Sequence, residues 1–292
     1  MGQKVRKFMY LKEKLGFNLM KGAFENRTKT LTNGALRTTM LLKRMKSGFT
    51  LAEVLITLGI IGVVAAMTIP NLMTHLRNKK LESQFKKTYA ELNIAARTFY
   101  SQEESSVHDA DVILYGGTTN NIRSTEVLKN FMKYYKSYSI PNGANSNWRY
   151  FDTSKNITQQ NLNGEIITSY PCDMTSVAID MVGRLYAMDD TSTRSIYGNV
   201  DFGPKICVDI NGADKPNRLG YDRFVFVFTA NNAVVPYTGT SWSDLSKNET
   251  NDKVIAKYCN KSLKTPAHTC AYFALKNKSP DGNGTYWGDF LK

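Results

Sequence analysis

An uninterrupted run of apolar and small residues extends from Phe49 to Ile69 and contains one charged residue, Glu53. At about 1.5 Å per residue, a helix of this length spans roughly 32 Å, close to the roughly 30 Å hydrocarbon core of a bilayer. The pattern therefore predicts a membrane-spanning helix. A secretory signal peptide and a plain membrane anchor are the alternatives, but a signal peptide gains nothing from a carboxylate inside its apolar run.

The helical pattern continues beyond Pro70 and becomes amphipathic. Between residues 71 and 105, apolar side chains recur three or four positions apart, which places them on one helix face. These side chains are Leu81, Phe85, Tyr89, Leu92, Ala96 and Phe99. We expect this stripe to pack against a globular head, so that a single helix links the membrane segment to the head.

A second, shorter helix is predicted in the head, with Ser124 or Thr125 as its cap. Its apolar face comprises Val127, Leu128, Phe131, Met132 and Tyr135. Short strands follow, with hairpin turns expected at Asn163-Gly164 and Val182-Gly183.

Two longer strands are predicted at residues 205–210 and 223–229, on either side of a polar loop. In the second strand three phenylalanines alternate with two valines, which predicts that both of its faces are covered. The fold class is therefore α+β, a long N-terminal helix packed on an antiparallel sheet.

The net charge of +13 at first suggests a nucleic acid or an anionic surface as partner. Residues 1–48 hold 12 of the 38 basic side chains but two of the 25 acidic ones, a net charge of +10. The remaining 244 residues carry a net charge of +3, so they are close to neutral. A nucleic acid is therefore not expected as a partner.

The residues at the start of the apolar run resemble a known processing site. The segment Lys46-Ser47-Gly48-Phe49-Thr50-Leu51-Ala52-Glu53 is similar to the leader junction of type IV pilins and type II secretion pseudopilins. The resemblance implies that a prepilin peptidase cleaves after Gly48 and methylates the new N-terminal residue, Phe49. Pro70 stands where such subunits carry a proline that bends the helix. The motif is short but specific, because Gly, Phe, Glu and the apolar run occur at fixed spacing.

Glu53 needs a partner within the hydrocarbon, where an isolated charge is costly. Cleavage creates a cationic amine on Phe49, one helical turn from Glu53, so a partner within the same chain is possible. The resemblance implies a partner in trans, in which Glu53 of an incoming subunit meets the Phe49 amine of its neighbour. This pairing would set the axial register of a filament, because the charge is then satisfied only in the correct assembly.

The predicted organisation has four parts. These are a leader that is removed (1–48), a membrane and polymerisation helix (49–70), an amphipathic helix (71–105) and a globular α+β head (106–292). Residues 1–39 are unusual for such a leader, so a true start at Met40 or Met45 and a genuine long leader are both considered.

The resemblance implies a single-pass protein of the inner (cytoplasmic) membrane with its head outside the cytoplasm, and a filament after assembly. Arg44 and Lys46 precede the apolar run, and basic residues tend to stay on the cytoplasmic side. The expected partners are other pilin or pseudopilin subunits, the prepilin peptidase, the inner-membrane assembly platform and membrane lipid.

Four cysteines lie beyond the predicted span and allow three pairings. They are Cys172, Cys207, Cys259 and Cys270. Pilins often close a small C-terminal loop with a disulfide, so the resemblance implies a bond between Cys259 and Cys270, which leaves Cys172 for Cys207. Free thiols and another connectivity are the alternatives, and the spacing is not that of a metal site.

The polar loop between the two longer strands gathers five oxygen-bearing side chains. They are Asp209, Asn211, Asp214, Asn217 and Asp222. Calcium takes six to eight oxygen ligands in a flexible loop, and some pseudopilin heads hold Ca²⁺ before their last strands, so the resemblance raises a calcium site. The alternative is a hairpin loop whose Asp and Asn side chains close Asx-turns. No other cofactor is expected.

Three isolated histidines, His75, His108 and His268, and the absence of hydrolase, metalloprotease and nucleotide-binding motifs argue against an enzyme. The sequence favours a structural subunit of a type IV pilus or a type II secretion pseudopilus. The processed chain of 244 residues is longer than typical major subunits of the family, which favours a minor subunit.

Two other functions are considered. The first is a pilus-associated binding protein, either an adhesin or a DNA-uptake pilin, because basic and aromatic residues alternate between Phe131 and Trp148 as on a nucleic-acid surface. Those residues are Lys133, Tyr134, Tyr135, Lys136 and Tyr138, and helix packing explains most of them more simply. The second is a lone membrane-anchored exported domain.

Overall fold

The computed structural model describes residues 48–113, 121–135, 138–139, 157–167, 171–172, 177–189, 202–239, 249–262 and 266–292. The chain divides into two units, Met1–Thr57 and Leu58–Lys292. Of the predicted leader, only Gly48 lies within the described residues.

The first described helix, α1, runs from Leu51 to Glu103 over 53 residues. Its early part carries an 18-residue window of mean hydropathy 2.2, and in the described part of the chain it is the one helix long and apolar enough to cross a membrane. Pro70 lies inside α1. The long helix predicted from the sequence is thus confirmed.

The later part of α1 carries the predicted apolar stripe into the head. Leu81, Phe85, Leu92, Ala96 and Phe99 are buried, and Tyr89 is partly buried against the same core. Phe85 packs on the sheet, with its ring centroid 4.6 Å from that of Phe224. The stripe is therefore a core-packing face, as predicted.

The remaining described elements follow in chain order. The helices are α2 (Val107–Ile113), α3 (Asn121–Met132), α4 (Asp252–Lys257), α5 (Cys270–Lys276) and a π-helix (Tyr286–Phe290). The strands are β1 (Tyr138–Ser139), β2 (Ala178–Asp180), β3 (Leu185–Asp189), β4 (Phe202–Asp209), β5 (Arg223–Thr229) and β6 (Val234–Pro236).

These six strands form one antiparallel sheet in the order β1-β2-β3-β4-β5-β6. On β5, Phe224, Phe226 and Phe228 belong to the larger core cluster, which includes the stripe of α1. Val225 and Val227 belong to a second cluster on the other face of the sheet. Both faces of β5 are covered, as its alternating aromatic and β-branched residues predicted.

Local predictions succeeded in part. The α3 face from Val127 to Tyr135 is buried, but α3 begins at Asn121, so the caps predicted at Ser124 or Thr125 are wrong. The hairpin around Val182-Gly183 is present as β2 and β3.

At the other predicted turn, Gln160 pairs with Ile166 through an isolated antiparallel bridge, and no strand forms there within the described residues. Gln160 also forms a parallel bridge with Arg218 of the long polar loop. One residue of the predicted hairpin therefore pairs with a distant segment as well as with its own neighbour.

The C-terminal segment completes the core, which the sequence did not predict. Tyr286 and Trp287 of the π-helix are buried, and the Trp287 ring lies 5.5 Å from that of Phe85. The next turn reaches α1, where Nδ2 of Asn78 donates to the Leu291 carbonyl oxygen at 3.4 Å. The chain end is therefore built into the head.

Candidate functional site

The segment before α1 is exposed and not helical. Gly48, Phe49 and Thr50 precede the helix start at Leu51, and the Phe49 side chain is 89% exposed. Proteolysis favours exposed peptides without secondary structure, and the Gly48–Phe49 bond lies in such a segment.

Glu53 forms a reciprocal cap with Thr50 in the first turn of α1. The Thr50 backbone N–H and hydroxyl both donate to Oε2 of Glu53 at 2.8 Å, and the Glu53 N–H donates to the Thr50 hydroxyl at 3.2 Å. This is a capping box, which satisfies the donors that a helix N-terminus leaves unpaired. Sequence reasoning overlooked this function of Glu53, although Thr50-Leu51-Ala52-Glu53 fits the capping-box pattern.

The two oxygens of the Glu53 carboxylate are used differently. Both Thr50 donors bind Oε2, and among the described residues no hydrogen-bond donor is recorded on Oε1. A carboxylate accepts several hydrogen bonds at once, so a cationic amine can bind Oε1 while the cap stays in place. Local capping and pairing with another chain are therefore compatible.

The apolar part of α1 beyond the first turn makes few contacts within the chain. Ile60, Ile61 and Ile69 are more than half exposed, and a side chain added at Gly59 or Gly62 would meet open space. Packing inside this chain therefore does not explain the two glycines. A lipid or helix environment outside the chain is what such a surface fits.

Pro70 is accommodated inside the helix. Proline has no N–H to donate to the carbonyl oxygen four residues earlier. The carbonyl oxygen of Pro70 itself accepts the Thr74 hydroxyl at 3.0 Å. The predicted bend at Pro70 stays a prediction.

The loop proposed for calcium contains a buried cation. Asp209 and Arg223 are both buried, and Nε of Arg223 lies 2.6 Å from Oδ2 of Asp209. The guanidinium also contacts Oδ1 of Asn217 at 3.4 Å. A positive charge at this place disfavours a divalent cation and supplies a partner for the aspartate.

The other oxygen ligands of the predicted calcium site are held by the loop itself. Asp222 accepts the backbone N–H groups of Asn217 at 2.8 Å and Arg218 at 2.6 Å. Burial raises the pKa of Asp222 to about 6, although these N–H groups and Arg223 act in the opposite direction. Asn211 donates to the carbonyl oxygens of Asp214 and Lys215. These contacts favour the Asx-turn alternative, and calcium binding stays a prediction.

The structure contains two disulfides, which join Cys172 to Cys207 and Cys259 to Cys270. This is the pairing that the resemblance implied. The first bond ties the segment at residue 172 to β4, and the second joins the end of the α4 region to the first residue of α5. Disulfides of this kind are typical of exported proteins.

The basic and aromatic residues after Phe131 are mainly packing residues. Phe131 and Tyr135 are buried, and the hydroxyl of Tyr134 donates to Glu103. Lys136 and Trp148 lie outside the described residues. Nothing in the described part of this segment therefore distinguishes it as a nucleic-acid surface.

The histidines do not form a catalytic group. His108 contacts Asp109 at 2.7 Å, whereas the His268 ring nitrogens lie 2.9 Å from the carbonyl oxygens of Pro266 and Gly239. Across the residues that the structure describes, no cluster of three or more His, Cys, Asp or Glu side chains is arranged to hold a metal ion.

Residues 43–69 match the family described as the prokaryotic N-terminal methylation motif, the signature of type IV pilins and pseudopilins. This match places Gly48, Phe49 and Glu53 inside the motif, and α1 starts within it at Leu51. No curated protein and no solved structure matches the chain. The motif belongs to structural subunits rather than enzymes, and with the apolar helix it indicates membrane anchoring.

Proposed function

We propose that the chain is a subunit of a type IV pilus or a type II secretion pseudopilus, cleaved after Gly48, methylated on Phe49 and assembled through its N-terminal helix. The observation that carries this proposal is the methylation motif at residues 43–69, which coincides with the start of a membrane-length helix. The pilin-like α+β architecture agrees with it.

Processing would act on the exposed segment before α1. Hydrolysis of the Gly48–Phe49 peptide bond leaves a carboxylate on Gly48 and an amine on Phe49. Methylation of this amine keeps its positive charge, so the new N-terminus can pair with a carboxylate. The prepilin peptidase is the partner that this step requires.

Assembly would use the Glu53 oxygen that the capping box leaves available. Oε1 of Glu53 in an incoming subunit binds the Phe49 amine of its neighbour, while Oε2 stays bonded to Thr50. Since a charge in hydrocarbon is costly without a partner, the pairing favours one axial register over others. The exposed apolar surface of α1 is then covered by lipid before assembly and by neighbouring helices afterwards.

Substitutions of Glu53 test this function and separate its two parts. Glu53→Ala removes both the cap and the charge, whereas Glu53→Gln keeps the capping pattern and removes only the charge. We expect both variants to be processed at Gly48 and to be lost from the sheared filament fraction, measured by immunoblotting. Thr57→Val, which removes a hydroxyl one turn further along α1, is the matched control and should assemble normally.

The outcomes of this experiment are distinct. If Glu53→Gln assembles like the wild type while Glu53→Ala does not, Glu53 acts as a cap and the charge pairing is wrong. If Glu53→Ala also assembles normally, assembly through Glu53 is wrong. Mass spectrometry of the membrane-extracted protein checks processing, since the proposal requires a chain of 244 residues that starts at methylated Phe49.

A further inference from the structure

The positive charge that remains after residue 48 is concentrated at the C-terminal end of the chain. Residues 49–248 contain 19 basic and 19 acidic side chains, whereas residues 249–292 contain seven lysines and four acidic side chains. The whole excess of +3 in the processed chain therefore belongs to its last 44 residues.

Part of this charge lines a cavity of about 360 Å³, which we call the basic cleft and define by Lys253, Lys257, Lys261 and Phe290. Lys253 and Lys257 lie four residues apart in α4, which places them on one helix face, and Lys261 lies in the turn that follows α4. All three lysines are exposed. The cleft is thus a concave surface lined by three lysines and by two carboxylates, those of Asp281 and Asp289.

The acidic side chains at the basic cleft already have partners. Asp281 accepts the Ser279 hydroxyl at 2.6 Å, which holds the pKa of Asp281 below its ordinary value. Asp289 accepts the Thr285 backbone N–H at 2.9 Å and the Lys292 ammonium at 2.9 Å, and these contacts also lower its pKa. Asp281 also interacts electrostatically with Lys261, but neither carboxylate forms an ion pair with Lys253 or Lys257.

The lysines of α4 remain available to a ligand. Within the part of the chain that the structure describes, no hydrogen bond or ion pair is recorded for the ammonium groups of Lys253 and Lys257. The Lys261 ammonium lies 3.3 Å from the Lys292 carbonyl oxygen and 5.1 Å from the centre of the Phe290 ring. The chemistry that fits this cleft is a group of carboxylates or another polyanion.

The same chain carries a complementary surface, the acidic end, which we define by Glu103, Glu104 and Asp109. Residues 103–111 contain four acidic side chains and no lysine or arginine. Glu103 and Glu104 are exposed, and the Asp109 side chain is 46% exposed. Glu103 is also the last residue of α1, where the helix dipole adds negative potential.

The two surfaces lie at opposite ends of the head part of α1. The π-helix residue Phe290 lines the basic cleft, and the carbonyl of the next residue, Leu291, binds Asn78 of α1. Asn78 precedes Glu103 by 25 residues in the same helix. At 1.5 Å per residue, the two ends are about 37 Å apart along the axis of α1.

We propose that the acidic end of one copy of this chain docks in the basic cleft of the next copy. The contact joins two different surfaces, so it repeats from copy to copy and produces an open filament rather than a closed dimer. This inference rests on the proposed filament function. The docking favours a subunit that is present in several adjacent copies over a minor subunit that occupies a single position at the tip.

The cleft fits a nucleic acid less well. Single-stranded nucleic acids are bound by basic grooves with aromatic rings on which bases stack, and the Phe290 ring is 8% exposed. The acidic end supplies complementary charge within the same protein. Binding of a nucleic acid is therefore an outcome of the test rather than a second proposal.

Cross-linking of the full chain tests the contact without any substitution. A carbodiimide joins a carboxylate to an amine only at contact distance, and the helix length of about 37 Å between Asn78 and Glu103 makes a contact between copies the expected origin of such a bond. We expect mass spectrometry of the filament fraction to identify bonds between Glu103 or Glu104 and Lys253 or Lys257. These bonds should decrease as salt rises from 0.1 M to 1 M, because the Debye length falls from about 10 Å to about 3 Å.

Charge reversal gives the second measurement. Lys253→Glu with Lys257→Glu, and separately Glu103→Lys with Glu104→Lys, should each lower the recovery of the full chain in filaments by about tenfold or more. Combining all four substitutions in one chain should restore recovery to within about threefold of the wild type. Lys215→Glu with Glu165→Lys reverses exposed charges elsewhere and is the matched control.

The results separate the two proposals. Wild-type filaments whose cross-links lie elsewhere, reversed chains that assemble normally, or a fourfold variant that is not restored would each overturn the docking inference and leave the filament function intact. A wild-type chain that is absent from the filament fraction refutes the filament function itself. If a reversed chain is degraded, the cross-links of the wild type decide. If DNA added before the carbodiimide prevents these cross-links from forming, the cleft would be assigned to a nucleic acid.

Discussion

The two halves of α1 have the same backbone conformation and opposite environments. From residue 51 to residue 77 every side chain is exposed or half-exposed, although most are apolar. From Asn78 onwards, buried residues recur on one face, with Leu81, Phe85 and Leu92 in the core of the head.

The difference shows that a segment can be helical whether or not its apolar residues pack within the same chain. The second half is stabilised inside the chain, because its stripe of apolar residues packs on the sheet. Among the described residues the first half has no such partner, so its apolar surface is suited to contact with lipid or with helices of other chains. One continuous helix therefore packs in the core of the head at its C-terminal end and presents an exposed apolar surface at its N-terminal end.

Removing a large side chain from each half is the strongest test of this contrast. Phe85→Ala should lower the free energy of unfolding of the head by about 3–5 kcal/mol, because it leaves a cavity between α1 and β5. Ile61→Ala should leave this free energy unchanged, since the Ile61 side chain is 62% exposed. Urea unfolding of the full chain in detergent, followed by tryptophan fluorescence, measures both values. Equal effects would mean that the two halves do not differ in packing.

Adding a charge should have its larger effect in the first half of α1, whereas removing a large side chain should have its larger effect in the second half. Ile61→Lys places an ammonium near the middle of the membrane-length segment and should oppose insertion by about 2.5–3.5 kcal/mol. Ile94→Lys lies in the second half, where the isoleucine is 63% exposed, and should change the unfolding free energy by less than about 0.5 kcal/mol.

Alkaline extraction of membranes measures the first effect and urea unfolding measures the second. The expected pattern is a chain with Ile61→Lys that is released from the membrane and one with Ile94→Lys that is retained. A firmly inserted Ile61→Lys chain would contradict the membrane assignment.

The smallest expected effect is the pH dependence of the free energy of unfolding of the head. Burial lowers the pKa of His268, so below about 6.5 the unfolded chain takes up a proton that the folded chain resists, and stability falls as pH decreases. Chemical unfolding between pH 7.5 and 5.5 should show a weaker pH dependence in His268→Gln than in the wild type. His75→Gln changes an exposed histidine of α1 and should keep the wild-type slope. Parallel slopes for all three chains would show that His268 does not titrate as expected.

Much of the fold was predictable because its signals are local. The stripe of α1 repeats at helical spacing, and the Phe and Val residues of β5 alternate at strand spacing, so both elements could be identified without knowing their partners. The processing site was also predictable, because Gly48, Phe49 and Glu53 occur within six consecutive residues.

Other features depend on contacts between distant residues. Arg223 could be predicted as the start of a strand, but only the structure shows that it is buried against Asp209 and occupies the loop suggested for calcium. The short C-terminal helices lack a long periodic pattern, and their role in the core follows from the packing of Trp287 on Phe85.

By itself, the sequence determined the membrane-length helix, the processing motif and the apolar stripe that packs against the head, because each depends on residues that are close together in the chain. Only the tertiary structure decided that Arg223 is buried against Asp209, and that the residue after Phe290 of the basic cleft, Leu291, binds Asn78 of α1. Such arrangements depend on which distant segments pack together, and the pattern of hydrophobic and polar positions does not encode that choice.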